Sequence, residues 1–147
     1  MVLLAVVRRP PWRMLPVEPL LLTIGLGVLA AAASPHLGLD SVLARGDAAI
    51  SVTAAGAAAA INNLPALLLA MPLLPRADGI WALLLGVNMG PAFVISGSLA
   101  GFLWRDTARM MGVPVPGRTY SRVGLRVGGP AFAAAIVTLL ATNALLG

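Results

Sequence analysis

The sequence contains no cysteine and no lysine, and only 10% of its residues are charged. Without cysteine, the chain forms no disulfide and offers no thiolate to a metal ion. A soluble domain usually carries about 25% charged residues, so this low charge argues against a soluble protein. We predict that the chain is not an enzyme and that it carries no metal and no other cofactor.

Hydrophobic residues make up 59% of the 147 residues, and they lie in long windows without charge. No ionisable side chain lies between Asp47 and Arg76, between Asp78 and Arg105, or after Arg126. Each window is long enough to cross a hydrocarbon core of about 30 Å, which takes about 20 helical residues. The sequence therefore predicts an all-α integral membrane protein that crosses the bilayer several times.

Four segments account for these windows. We predict membrane spans near residues 17–34 and 123–146, and a third crossing over 79–111 that is broken at 88–97. We predict that residues 48–74 form a re-entrant hairpin, because two amides followed by a proline lie in the middle of this apolar segment. Proline removes a helix hydrogen bond, and amides are costly against lipid. The whole chain is thus predicted to be one membrane domain.

The arginines set the predicted orientation, because cytoplasmic loops of membrane proteins are enriched in basic residues. If residues 48–74 cross the bilayer once, the first three arginines face the opposite side from the last five. If they form a hairpin, eight arginines share one side, as the positive-inside rule favours. These eight are Arg8, Arg9, Arg13, Arg105, Arg109, Arg118, Arg122 and Arg126. We therefore predict a hairpin entered from outside with its tip at Asn62 and Asn63, a cytoplasmic N-terminus and an outside C-terminus.

The basic character of the chain bears on its partners. A net charge of +5 would suggest nucleic acid in a soluble protein. Here the arginines lie beside apolar windows, where the anionic head groups of lipids explain them better. We therefore predict membrane lipid as a partner and no binding of nucleic acid.

The hairpin tip and the broken crossing are predicted to meet in one site at mid-membrane. Half-helix N-termini present unpaired N–H groups and the positive end of the helix dipole to a solute. The substrate-binding candidates are Asn62, Asn63, Asn88, Ser96 and Ser98. The residues expected to permit the breaks are Pro65, Gly86, Gly90, Pro91 and Gly97. The alternative is that these amides and hydroxyls only cap backbone groups.

Three motifs resemble the C-terminal half of the arsenite/antimonite efflux permeases, which belong to the ion-transporter superfamily with the divalent-anion symporters. They are Asn62-Asn63-Leu64-Pro65, Gly86-Val87-Asn88-Met89-Gly90-Pro91, and Gly97-Ser98-Leu99-Ala100 with Leu103-Trp104. The resemblance runs from about Trp12 to the C-terminus. It implies an inverted-repeat transporter of the bacterial plasma membrane, with a hairpin and a broken helix in each half. It also implies export of arsenite, antimonite or a related small oxyanion in exchange for protons.

The resemblance makes residues 1–147 one half of a transporter, without the N-terminal half. We therefore expect a partner, either that half or a second subunit, and a small inorganic or organic anion as the solute. Two alternatives remain open. The first is a truncated or accessory membrane protein without transport activity of its own, and the second is an organic-anion or sodium/proton carrier of the same superfamily. No acid lies at the predicted mid-membrane, where proton-coupled carriers normally have one.

Overall fold

The computed structural model describes residues 17–113 and 115–146, and all regular structure in this part of the chain is helical. Its α-helices are α1 (Val17–Ala33), α2 (Asp40–Leu43), α3 (Asp47–Ile61), α4 (Asn63–Ala70), α5 (Ile80–Met89), α6 (Leu99–Met110) and α7 (Gly117–Leu146). Short 3-10 turns connect several of them: Ser34–His36, Met71–Leu73, Ala77–Gly79, Gly90–Ala92 and Ile95–Gly97. The predicted cytoplasmic arginines 8, 9 and 13 and the predicted outside C-terminal residue lie outside the described residues.

Helices α3 and α4 form a hairpin that turns at Asn62. The chain reverses there, so that Arg76 reaches back to Asp47 in the first turn of α3. The distance from Arg76 Nη2 to Asp47 Oδ1 is 3.2 Å. The two arms therefore begin and end at the same end of the helix bundle, which is the hairpin geometry that the sequence predicts for residues 48–74. We call this end the base and Asn62 the tip.

Helix α5 packs along α3 through small residues. The Ser51 hydroxyl donates to the carbonyl of Ala82 at 2.9 Å. A Cβ added at Gly86 would collide with the Ser51 carbonyl oxygen, and one at Gly90 would collide with that of Ala55. These contacts advance in the same direction along both helices, so α5 runs parallel to α3, and the close approach requires glycine at both positions.

The helical structure is interrupted between α5 and α6, where the sequence predicts a break in the helix. Helix α5 ends at Met89 and α6 begins only at Leu99, with two 3-10 turns between them. A Cβ added at Gly97 would lie 2.8 Å from Pro91 Cα and 3.3 Å from the carbonyl oxygen of Ala58. Residues 90–98, which we call the broken segment, therefore pack against the last turns of α3, beside the hairpin tip.

Helix α7 runs antiparallel to α3. Near its start the Tyr120 hydroxyl donates to the Pro91 carbonyl at 3.0 Å, and near its end Asn143 Nδ2 donates to Asp47 Oδ2 at 2.7 Å. Within the described residues, one helix is both long and apolar enough to cross a membrane, and it is Gly117–Leu145. Helix α1 and the two hairpin arms are apolar but shorter.

Small residues fill the interior, whereas larger apolar side chains face outward. Among the residues that the structure describes, half of the buried hydrophobic ones are alanines: Ala30, Ala54, Ala55, Ala58, Ala66, Ala70 and Ala82. Large exposed side chains cluster on α1 and α7, among them Leu21, Leu22, Val28, Leu29, Val127 and Val137. A continuous exposed apolar surface marks a contact with lipid or with another protein. The exposed apolar side chains of α1 and α7 favour such a contact over full exposure to water.

Candidate functional site

The hairpin tip, the broken segment, α1 and α6 surround a cleft of about 410 Å³. Its apolar lining comes from Leu22, Leu26, Ala60, Ile61, Leu99, Phe102 and Leu103. Three polar side chains also line it, those of Asn62, Ser96 and Asp106. A concave, mostly apolar site with a few convergent polar groups is the usual form of a small-molecule site, so this cleft is the candidate functional site.

Asn62 has an unusual backbone conformation. Its φ is 84° and its ψ is 153°, and it is the only non-glycine residue with a positive φ among the described residues. This region of φ/ψ space is almost restricted to glycine and costs about 1–3 kcal/mol for other residues. Its backbone groups are still bonded, because its N–H donates to Ala58 and its carbonyl accepts from Ala66. The strain is therefore held in place by both arms of the hairpin.

The side chain of Asn62 is also unusual. Its Oδ1 atom is buried and accepts no hydrogen bond within the described part of the chain. A buried acceptor without a donor costs about 1–3 kcal/mol. Local strain together with an unmet acceptor is typical of residues retained for binding rather than for stability. Asn62 also lines the cleft, so its unbonded acceptor is a candidate contact for a solute there.

Two of the predicted substrate-binding side chains bond to neighbouring backbone instead. Asn63 Oδ1 accepts from the N–H of Leu64 at 2.9 Å. Ser98 Oγ accepts from the N–H of Gly101 at 3.0 Å, and Ser98 is the N-cap of α6. These geometries match the backbone-capping alternative for both residues, and neither side chain lines the cleft.

Asn88 and Ser96 differ in their positions. Asn88 lies on the exposed side of α5 and donates through Nδ2 to the carbonyl of Leu84 at 2.8 Å. Ser96 is half-buried in the broken segment and lines the cleft with Asn62. The structure thus brings two of the five predicted side chains together and leaves the other three outside the cleft.

The five residues predicted to permit the breaks lie where backbone segments pack closely. Pro65 is fully buried in the first turn of α4, where the missing N–H costs nothing because it would have no helical partner. Gly86 and Gly90 face α3, and Gly97 contacts Pro91. None of the five lines the cleft, so their contribution is to shape it.

Asp106 brings charge to the cleft. Its carboxylate lies 3.9 Å from Arg105 Nε and 3.8 Å from Arg109 Nη1. The Arg105 guanidinium carbon also lies 5.2 Å from the centre of the Phe102 ring. The charge that α6 brings to the cleft is therefore that of Asp106, since its two arginine partners are not among the cleft-lining residues. No group of three or more histidine, aspartate or glutamate side chains that would hold a metal ion occurs in residues 17–113 and 115–146.

The polar cluster at the hairpin base was missed by sequence reasoning. Asp47 is only 8% exposed, and its carboxylate accepts from both Arg76 and Asn143. One feature of the sequence indicated the contact between Asp47 and Arg76. These two residues lie almost equally far from Asn62 in sequence, on opposite sides. In a helical hairpin such residues meet at the base. The contact with Asn143 had no comparable signal.

Comparison of the chain with protein-family models, with curated proteins and with solved structures gives no match. The interpretation of the cleft therefore depends on its own geometry and on the motifs in the sequence.

Proposed function

We propose that this chain is a multi-pass membrane protein that supplies one half of a secondary transporter. We further propose that Asn62 and Ser96 are its contribution to the solute site. The observation that carries this proposal is the tip of the α3–α4 hairpin. There a strained residue with an unpaired buried acceptor meets a broken helix at a cleft. Secondary transporters bind their solutes where helices are interrupted within the membrane.

The distribution of apolar residues supports the membrane location. In lipid, helices associate through small residues that allow their backbones to approach closely. Helices α3 and α5 meet in this way, at Gly86 and Gly90. The large apolar side chains lie instead on the outer faces of α1 and α7, where lipid would surround them.

The length of the hairpin supports re-entry rather than crossing. Helix α3 has 15 residues, so it rises about 22 Å, which is less than the roughly 30 Å of a hydrocarbon core. A hairpin whose base lies at one membrane surface would therefore place Asn62 inside the bilayer. Irregular backbone is tolerated at that depth only where protein buries it or where it lines a cavity, and both conditions are met at the tip.

The charges support an orientation. Arg45, Arg76 and three aspartates lie in or next to the short connections at the base. Arg118 and Arg122 lie at the start of α7, at the far end of the helix from the base contact of Asn143. By the positive-inside rule, we place the base outside and the start of α7 in the cytoplasm of a bacterial plasma membrane.

The motifs in the sequence support a solute and a partner. Their resemblance to arsenite/antimonite efflux permeases favours export of arsenite, antimonite or a related small oxyanion in exchange for protons. A site between two inverted repeats needs both repeats, so the proposal includes an N-terminal half or a second subunit. If no such partner exists, an accessory membrane protein without transport activity is the alternative. A carrier of organic anions, or of sodium and protons, would use the same site.

The test is survival of an arsenite-sensitive bacterium that expresses the chain alone, or together with the first half of an arsenite permease. We expect protection only from the pair. Asn62→Asp should abolish it, because it buries a second carboxylate without a partner in the cleft that Asp106 already lines. Asn88→Asp makes the same chemical change on the exposed side of α5 and should leave protection intact. Full protection by the chain alone, or by the Asn62→Asp pair, would contradict the proposal.

A further inference from the structure

A second concave surface lies on the other side of the broken segment. It is a groove of about 560 Å³ between that segment and the first turns of α7. Val94, Ile95 and Leu125 give it apolar walls, and Arg118, Ser121 and Arg122 give it polar ones. No residue of this groove is shared with the cleft at the hairpin tip, so the two are separate sites.

The groove is strongly basic. Arg118 and Arg122 lie one helical turn apart and are exposed, and Arg126 continues the same stripe one turn later. None of the three forms an ion pair within the described residues, whereas Arg105 and Arg109 of α6 share Asp106. Two unpaired guanidinium groups beside a hydroxyl form a site for a phosphate group, because arginine matches the geometry of phosphate oxygens.

The groove lies where α7 changes from basic to apolar. After Arg126 the helix carries no further charge, and Val123 and Val127 are exposed beside the groove. A free phosphate or a nucleic acid would use only the arginines. A molecule with an anionic head and apolar tails would use both the arginines and the apolar surface that follows. Basic residues at the end of a membrane helix are the usual contact for such lipids.

The groove is held in shape by direct contacts between its two walls. The Tyr120 hydroxyl donates to the Pro91 carbonyl at 3.0 Å, and Gly124 packs against the backbone of Ala92. A ligand in this groove therefore contacts the broken segment itself. We propose that the groove binds the phosphate head group of an anionic phospholipid, whose acyl chains lie along α7. This inference depends on the proposed membrane location.

Trp104 provides a local probe for the test. The centre of its ring lies 6.2 Å from that of Tyr120. Tyr120 immediately precedes the groove residue Ser121 in sequence. Trp12→Phe and Trp81→Phe leave Trp104 as the only tryptophan of the chain. The full chain is reconstituted into phosphatidylcholine vesicles that contain brominated phosphatidylglycerol or, at the same mole fraction, brominated phosphatidylcholine. Bromine quenches tryptophan fluorescence on contact, so the two lipids report the lipid preference near the groove.

We expect brominated phosphatidylglycerol to quench Trp104 at several-fold lower mole fraction than brominated phosphatidylcholine. Each arginine near a membrane surface is worth about fivefold in affinity for anionic lipid. The Arg118→Gln/Arg122→Gln variant should remove this preference. Arg109→Gln is the control, because it removes a charge from α6, which does not line the groove. It should keep most of the preference.

The outcomes separate this inference from the proposed function. Equal quenching by the two lipids would overturn the lipid site and leave the membrane location intact. No quenching by either lipid would overturn the membrane location as well. Loss of the preference in Arg109→Gln to the same extent as in the double variant would show a diffuse surface charge instead of a groove. Abolition of the preference by millimolar inorganic phosphate would assign the groove to a soluble anion and overturn the lipid proposal.

Discussion

The base and the tip of the α3–α4 hairpin differ in whether their buried polar groups are hydrogen-bonded. At the base, the nearly buried carboxylate of Asp47 accepts from Arg76 and Asn143, and Arg76 also lies 3.3 Å from Asp78. At the tip, Asn62 combines a strained backbone with a buried oxygen that accepts no hydrogen bond from the described residues. The base is built for stability, whereas the tip keeps an unmet acceptor.

This difference separates a structural polar group from a candidate binding group. Buried polar groups are almost always paired within the protein, so the paired groups at the base need no ligand to explain them. An unpaired group in a strained loop costs stability, and the bonds on either side of the tip must offset that cost. The tip is therefore the proposed solute site, whereas the contacts at the base close the hairpin.

The largest expected effect is a difference in thiol labelling, because we propose that the hairpin base and the start of α7 face opposite sides of the membrane. The chain has no cysteine, so Asp78→Cys at the base and Thr119→Cys at the start of α7 each introduce a single thiol. We expect an impermeant thiol reagent to label position 78 only from outside and position 119 only from the cytoplasm. Labelling of both positions from the same side would show that residues 79–111, which join them, do not cross the membrane.

The next effect is on the stability of the base. Arg76→Ala leaves the Asp47 carboxylate buried with Asn143 as its remaining partner. Breaking a buried pair costs about 3–5 kcal/mol. Because Arg76 is 57% exposed, we expect a smaller loss of about 2 kcal/mol in the free energy of unfolding. Chemical unfolding in detergent, followed by circular dichroism, measures it.

A double variant and a control sharpen this prediction. Arg76→Ala/Asp47→Ala should be less destabilised than Arg76→Ala alone, because no buried carboxylate is then left without its arginine partner. Arg45→Ala removes an exposed arginine close to the base and should change stability by no more than about 0.5 kcal/mol. If Arg76→Ala and Arg45→Ala have equal effects, the base contact does not stabilise the hairpin.

The smallest effect compares two serines of the broken segment. Ser98→Ala removes the N-cap of α6 and should lower stability by about 1 kcal/mol, with little effect on transport by the assembled protein. Ser96→Ala removes a hydroxyl from the cleft wall and should reduce transport with little effect on stability. Unfolding and arsenite efflux, measured on both variants, check this. The reverse assignment would place the solute near Ser98 instead.

The sequence predicts the hairpin and the break because their causes are local. A proline after two amides predicts the turn, and Gly90, Pro91 and Gly97 predict the interruption, since each restricts or frees the backbone at its own position. Helix α7 begins at Gly117, six residues before the start of the predicted last span at residue 123. The preceding Pro116 and the helix-favouring arginines start the helix about two turns earlier.

The site is harder to predict because it depends on long-range contacts. Asn62 and Asn63 are the same type of residue and are adjacent in sequence. What distinguishes them is that Asn63 bonds to the next N–H, while Asn62 takes the positive φ and lines the cleft. The α1 wall of the cleft and the contact from Asn143 to Asp47 both join residues far apart in sequence. No local pattern reports such contacts.

Asn62→Gly tests the central claim most directly, because glycine adopts the positive φ without strain and removes the unpaired amide. We predict that the variant is more stable than the original chain by about 1–3 kcal/mol in detergent unfolding. We also predict that, paired with the first half of an arsenite permease, it no longer exports arsenite from cells. Opposite changes in stability and transport are the signature of a binding residue. An Asn62→Gly protein that is less stable and exports arsenite normally would contradict the account and leave Asn62 as a structural turn residue.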